Sequence, residues 1–288
     1  MALCIRAMTR PEFSTLMQWA AAEGWNPGLN DESIFWSTDP AAMVAAELDG
    51  RMVGGGAIVS YGGEYGFMGL FIVDPALRGQ GIGAQLWVAR RDQLRARLQP
   101  GAPMEMDGVF AMQRFYARGG FVLQHRDLRM EAPAWQGGAA APPRGTELVP
   151  LAHVRLEQVC AVDRLCFPAD RRSFLEQWVR QPGSTAVGAV QQGQLAGYAV
   201  CRPCVRGWKV GPLFALDAAT ADALLCAATA GACGQPVQLD VPERNTAAVQ
   251  LATAHGMSQV FGCARMTLGA PPRIAWDRVF GVTTFELG

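Results

Sequence analysis

The chain has 288 residues, half of them hydrophobic, with 25 Lys and Arg set against 25 Asp and Glu. That length accommodates two ordinary domains, and the balanced charge with no basic block argues against non-specific nucleic-acid binding. No run of about 18 apolar residues exists to span a bilayer, and Met1-Ala2-Leu3-Cys4-Ile5-Arg6 lacks the charged region and long apolar core of a secretory signal, so a cytoplasmic location is expected.

Near the N-terminus, Ala22-Glu23-Gly24-Trp25-Asn26-Pro27-Gly28 separates two predicted helices. Residues 44–48 and 52–61 flank Asp49-Gly50, a strong hairpin signal. A strand then runs to Val73, a loop follows, and a helix extends to about Leu98, where Pro100-Gly101 stops it. A short strand at 104–107 precedes a second helix ending at Gly119-Gly120, and Phe121-Val122-Leu123 resumes extended structure. Proline, glycine and alanine then dominate, which marks 131–146 as a linker between units 1–130 and 147–288.

The same order of elements returns after the linker. Residues 184–190 and 195–202 surround Gln192-Gly193, a strand covers 208–215, a helix opens near Asp217, and 236–241 is a further strand. A helix from about Arg244 to Ala254 ends at His255-Gly256. Gly50 and Gly193, Asp107 and Asp240, and Gly120 and Gly256 are separated by 143, 133 and 136 residues, so one α/β unit occurs twice. Eight cysteines are scattered, and only Cys201-x-x-Cys204 has a metal-like or redox-like spacing. Without a second close pair it is read as structural, with no metal site and reduced thiols.

The most informative stretch is Val73 to Gly83, V-D-P-A-L-R-G-Q-G-I-G. Glycine lets an anion approach the backbone closely, and a helix N-terminus with Arg78 beside it favours negative charge, so this is a pyrophosphate cradle. A Walker loop would need Lys-Ser/Thr where Ala84-Gln85 stand. The dinucleotide fingerprint fits Gly79, Gly81 and Ala84, with Glu105 downstream, and would make the chain a nicotinamide-linked oxidoreductase. That fingerprint turns straight out of its strand, however, whereas five residues separate Val73 from Gly79.

Arg78-Gly79-Gln80-Gly81-Ile82-Gly83 fills every position of the R-x-x-G-x-G loop and resembles the GCN5-related N-acetyltransferases. Gly207-Trp208-x-Val210-Gly211-Pro212-Leu213, Arg265-Met266 and Thr284-Phe285-Glu286-Leu287-Gly288 resemble the second half of bacterial two-domain members. The resemblance implies an α/β (α+β) fold of two tandem units, each a mixed, mostly antiparallel twisted sheet flanked by helices. It also implies acetyl-CoA as co-substrate, held by Arg78, Gly79, Gln80, Gly81, Ile82, Gly83 and Ala84, with the backbone of Phe71, Ile72 and Val73 on the pantetheine arm and acetyl carbonyl. The second copy has Leu216-Asp217-Ala218-Ala219-Thr220-Ala221 in place of the loop, with neither glycine nor arginine, and is expected to be degenerate. Val109 departs from the asparagine that many members carry.

Acetyl transfer to an amine needs a base for the ammonium proton and a donor for the departing thiolate. Tyr116 lies in a segment that resembles the family's Y-x-x-x-G-F, where the tyrosine faces the CoA sulfur; its counterpart in the second copy is Ala252. Glu64, Glu105 and Asp107 are candidate bases, and alternation puts Glu105 and Asp107 on one strand face. Of these Asp107 is preferred, although it would also serve as a helix cap. Trp25 and Asn26 would roof the acceptor side. The expected acceptor is the primary amine of a small or amino-acid-like molecule; a protein acceptor, a non-catalytic acyl-CoA sensor, and a monomer or homodimer all stay open in sequence.

Overall fold

The computed structural model describes residues 3–288. In the first half, β1 (Leu3–Ala7), α1 (Arg10–Ala22) and α2 (Asp31–Thr38) precede β2 (Met43–Leu48), β3 (Arg51–Tyr61) and β4 (Tyr65–Val73). The glycine loop then leads to α3 (Ile82–Ala96), β5 (Met104–Val109), α4 (Gln113–Arg118) and the long β6 (Val122–Ala132). The second half repeats this order with β7 (Thr146–Pro150), α5 (Leu156–Cys166), α6 (Arg172–Trp178), β8 (Thr185–Gln191), β9 (Gln194–Pro203) and β10 (Trp208–Ala215). It continues with α7 (Ala218–Ala228), β11 (Val237–Pro242), α8 (Thr246–Ala254), β12 (Ser258–Leu268) and an added strand, β13 (Val279–Gly281).

Local chemistry explains the repeated elements. Asp49-Gly50 and Gln192-Gly193 both turn with positive φ at both residues, at 52° and 77° and at 50° and 77°. This is the backbone twist that matches antiparallel strands across a two-residue loop. Thr9 and Glu12 form a capping box at the start of α1, whereas Asp217 caps α7 by accepting from the Thr220 amide at 2.8 Å.

The two tandem units are mixed, mostly antiparallel sheets flanked by helices, and they are fused into one 13-stranded sheet. Its order is β1-β2-β3-β4-β5-β12-β6-β11-β10-β9-β8-β7, with β13 against β10; β4–β5 and β10–β11 are the parallel pairs. The units exchange their last long strands. β12, from the second half, pairs with β5 from Leu268↔Met104 to Cys263↔Val109, while β6, from the first half, pairs with β11 from Val237↔Ala132 to Pro242↔Asp127. The halves are thus consecutive in the chain but interleaved in space. Beyond Ala132, residues 133–145 carry no helix or strand, yet Trp135 is buried and donates its amide to the Gln235 carbonyl.

One core lies under α3 and α4, a second under α7 and α8, and a third is shared between the units. The shared core takes Phe13 from α1, Phe35 from α2, Val159 from α5 and Phe174 and Trp178 from α6, with Phe35 stacked on Trp178. An interface built from core aromatics of both units cannot open without exposing apolar surface.

Candidate active site

The cleft is made by two parallel strands that part. β4 and β5 pair only at Gly66↔Met104 and Phe67↔Glu105, then diverge. On its other edge β4 bulges: Gly55 faces Ile72 and Ala57 faces Gly69, so Leu70 and Phe71 together oppose Gly56. Leu70 has φ +53°, a conformation that costs a side-chain-bearing residue energy and recurs at functional sites. The bulge is braced from α3. Arg90, fully buried, donates from Nη2 to the Ala57 and Gly69 carbonyls at 2.6 Å each, and Gly56 leaves room for its guanidinium. Burial lowers the Arg90 pKa to about 10, so it stays charged near neutrality.

A cleft of about 480 Å³ runs from the glycine loop to Tyr116, lined by Phe71, Ile72, Val73, Arg78, Gly79, Gly81, Gly83 and Ala84, and by Glu23, Trp25, Val109, Met112 and Phe115. Gly79 and Gly81 have φ near +80° and face open space where a side chain would stand, directly before α3. An anionic group fits there against free backbone and a helix N-terminus. The Ile82 side chain turns into the core under α3, and Gln80 points to solvent, so neither side chain lines the cavity. Arg78 donates to the Val73 carbonyl and is ion-paired with Glu23 at the cavity rim.

Tyr116 lines this cavity and also the one it joins, which lies between Met68–Phe71 of β4 and Met106–Val109 of β5. Its ring packs on Trp87 and against Gly108, where a Cβ would stand 2.4 Å from Tyr116 Cε2. Burial pushes the Tyr116 pKa up to about 12, with Arg90 pulling the other way. The hydroxyl is therefore protonated at neutral pH.

The expected bases meet other environments. Both oxygens of Asp107 accept from Arg265 of β12 at 2.8 Å, and Asp127 of β6 lies within 3.5 Å of the same guanidinium. Asp107 lines the cavity, but neither oxygen is free. The second copy makes the same bond: both oxygens of Asp240 accept from Arg129 at 2.7 Å. A two-bond pair at the matching place in the copy without the glycine loop assigns the bond to the exchanged-strand seam, although Arg265 has Asp127 and Glu105 beside it as well. Glu105 is buried and accepts from Tyr65, Thr267 and Arg265, and Glu64 is exposed in the β3–β4 turn, away from the cleft.

Trp25 lines both cavities, and its carbonyl is held by Arg129 at 2.6 Å and Lys209 at 3.2 Å. Asn26 does not. Its amide nitrogen donates to the Arg206 carbonyl and Gln238, and its oxygen accepts from the Arg206 amide, so it ties α1 to the second unit instead of touching acceptor. Cys201 and Cys204 are free, buried thiols whose pKa values burial raises. No described helix is long and apolar enough to cross a membrane.

Sequence reasoning gave no role to Arg90 or Glu286. Glu286 lines the far end of the inner cavity with Phe285, Phe261 and Cys263, all from the second half. The visible signal was a single carboxylate inside the apolar run Val282-Thr283-Thr284-Phe285-Glu286-Leu287, and only the fold shows where that run goes.

Comparison with known proteins bears on the family and the fold. The Acetyltransferase (GNAT) family pattern matches residues 7–121, and an Acetyltransferase (GNAT) domain pattern matches 159–281. The chain is 24% identical, over 96% of its length and 92% of the relative's, to holothin acyltransferase of Pseudoalteromonas sp. (strain SANK 73390). A putative acetyltransferase from Pyrococcus horikoshii has a similar structure, with TM-score 0.81 and 22% identity across 99% of this chain and 96% of that one. A tandem GNAT protein from the clavulanic acid biosynthesis pathway superposes with TM-score 0.66 and 18% identity, across 94% of this chain and 99% of that one. The chain belongs to the GCN5-related N-acetyltransferase family, as a tandem member and an acyl-CoA-dependent acetyltransferase.

Proposed function

We propose that this protein transfers the acetyl group of acetyl-CoA to the primary amine of a small molecule by direct attack, with Tyr116 as general acid. The observation that carries this reading is a single cleft lined by the glycine loop, the β4 segment Phe71–Val73 and Tyr116. Gly79, Gly81 and Gly83 would hold the pyrophosphate, with Gln80 and Ile82 contributing backbone only. Arg78 leaves Glu23 to join them. The irregular β4 backbone at 70–72 would hold the pantetheine arm and polarise the thioester carbonyl, as an oxyanion hole does.

Tyr116, with a pKa near 12, is a weaker acid than a thiol of about 8.5. It therefore begins as a hydrogen-bond donor to sulfur, and its proton moves as the C–S bond breaks. The buried charge of Arg90 favours the anion on either atom. The aromatic lining of the inner cavity, from Trp25, Phe71, Phe261 and Phe285, supports a small-molecule acceptor over a protein side chain.

The test is free-thiol release from acetyl-CoA with a panel of amines, amino acids and peptides, run beside calorimetric CoA binding. Tyr116→Phe should lower kcat about 100-fold or more with CoA affinity unchanged. Tight CoA binding without release for any acceptor would favour a sensor, and preference for NAD over CoA would overturn the assignment.

A further inference from the structure

We infer that Glu286, carried by the second unit, is the proton acceptor of the first unit's active site, and that it selects primary ammonium groups borne on apolar or aromatic bodies. The inference rests on the transferase reading above and names the base and acceptor class of that same site.

The chain path places the residue there. After β13, Val282 donates its amide to the Asp240 carbonyl at 2.8 Å, Val282 and Thr283 pass Gly211 of β10, and Glu286 and Gly288 then lie against Gly69 and Phe67 of β4 in the first unit. The approach is close at Gly69, where a Cβ would stand 1.8 Å from the Glu286 carbonyl oxygen, so only glycine admits this path. The segment is pinned on both sides of Glu286. Arg171 donates to Thr283 Oγ1 at 2.8 Å and to the Gly288 carbonyl at 3.2 Å, while the Tyr61 hydroxyl donates to the Leu287 carbonyl at 2.8 Å. Arg171 is itself fixed by a two-bond pair with Asp163. So much anchoring fixes the backbone that carries one carboxylate.

Glu286 is 4% exposed as a residue, and its Oε2 is buried with no hydrogen-bond partner among the described residues. A buried acceptor left unpaired is destabilising, more so when charged, unless a ligand satisfies it. Its residue lines the same cavity as Tyr116. The groups facing Glu286 are Lys209 of β10, Arg129 of β6, Asp31 of α2 and Arg202 of β9, with Asp107 and Arg90 in the same cavity wall. Arg129 is paired with Asp240 and Arg202 with Asp31, while Lys209 donates only to the Trp25 and Asn26 carbonyls. An ionised Glu286 completes the charge balance of this group. Burial raises its pKa while Lys209 and Arg129 oppose the rise, which suits a proton acceptor.

The surrounding walls identify the acceptor. Trp25, Phe71, Phe261 and Phe285 line the same cavity as Glu286. Arg90 lies over Phe71 and Arg129 over Phe261 and Phe285, so these rings offer an acceptor apolar surface while the carboxylate takes its ammonium. In the step, the bound ammonium gives one proton to Glu286, and the freed nitrogen lone pair attacks the thioester carbonyl carbon. As the C–S bond breaks, Tyr116 protonates the sulfur. The second nitrogen proton returns to the tyrosine oxygen through the site, and Glu286 releases its proton to solvent after the amide leaves, so each turnover frees one proton.

The experiment measures kcat/KM from pH 5 to 9 by thiol release, with 2-phenylethylamine, butylamine and glycine as acceptors, and acetyl-CoA affinity by calorimetry. Glu286→Gln should lower kcat/KM for the first two amines about 100-fold and remove the acid limb of the profile, with acetyl-CoA affinity unchanged. Glu286→Asp should keep the acid limb and lose about tenfold in kcat, which carries the test if the Gln variant fails to fold. Wild-type turnover that Glu286→Gln leaves within threefold, with the same acid limb, overturns the base, and preference for glycine overturns the acceptor class. Wild-type protein that binds acetyl-CoA but acetylates no amine overturns the transferase reading and this inference with it.

Discussion

Both units open the same gap and treat it in opposite ways. In the first, β4 and β5 pair at their beginnings and part into a cavity. In the second, β10 and β11 pair from Trp208↔Val237 to Val210↔Leu239, and beyond that point β13 fills the space, pairing with Leu213 and Phe214 of β10. Gly281 of β13 is seated so tightly that a Cβ would meet Leu239 at 2.5 Å. The glycine loop differs to match, since Asp217 uses its carboxylate to cap α7 where the first unit offers free amides. Duplication thus leaves one open site and one sealed unit, and the segment leaving the seal supplies a wall of the open site.

The largest test of this comparison concerns the paired seam. Asp240→Asn leaves the buried Arg129 without its charged partner and should lower stability by about 3–5 kcal/mol in denaturant unfolding. Asp107→Asn leaves Arg265 facing Glu105 and Asp127 and should cost clearly less. The losses differ although the hydrogen-bond geometry matches, because burial and the crowding Asp127 push the Asp107 pKa up, while Arg129 holds that of Asp240 down against burial. If the Asp107 variant stays folded yet loses activity far beyond the Asp240 variant, Asp107 acts on substrate as well as on the seam.

A second test asks whether the loop alone makes the first unit the binding one. Gly81→Val forces a β-branched residue to φ +83° at the start of α3 and should weaken CoA binding about 100-fold by calorimetry. Ala218→Val, near the equivalent turn of the second unit, should leave CoA binding unchanged.

The smallest effect lies at the rim. Arg78 and Glu23 are part-exposed partners, and such a pair contributes only about 0.2–1 kcal/mol. Glu23→Gln should free Arg78 for phosphate and tighten CoA binding about two- to fivefold at low salt, an advantage lost as salt is raised. Arg78→Ala should weaken binding by about tenfold.

The amino-acid sequence by itself determined the local features. Hairpin turns at Asp49-Gly50 and Gln192-Gly193 follow from residues that tolerate positive φ, and the cradle from glycines placed ahead of a helix. The repeat was legible because each copy needs the same elements in the same order. Tertiary structure alone decided which strands meet. Exchange of β6 and β12 turns Asp107 from a free carboxylate into half of an ion pair, and Asn26 from a roof residue into a tie between units. Glu286 is separated from Tyr116 by most of a second domain, and its position depends on glycine at 69 and anchors at Arg171 and Tyr61. Short-range preferences are properties of neighbouring residues, whereas the partner of a buried charge is set by packing between distant segments, which no local pattern encodes.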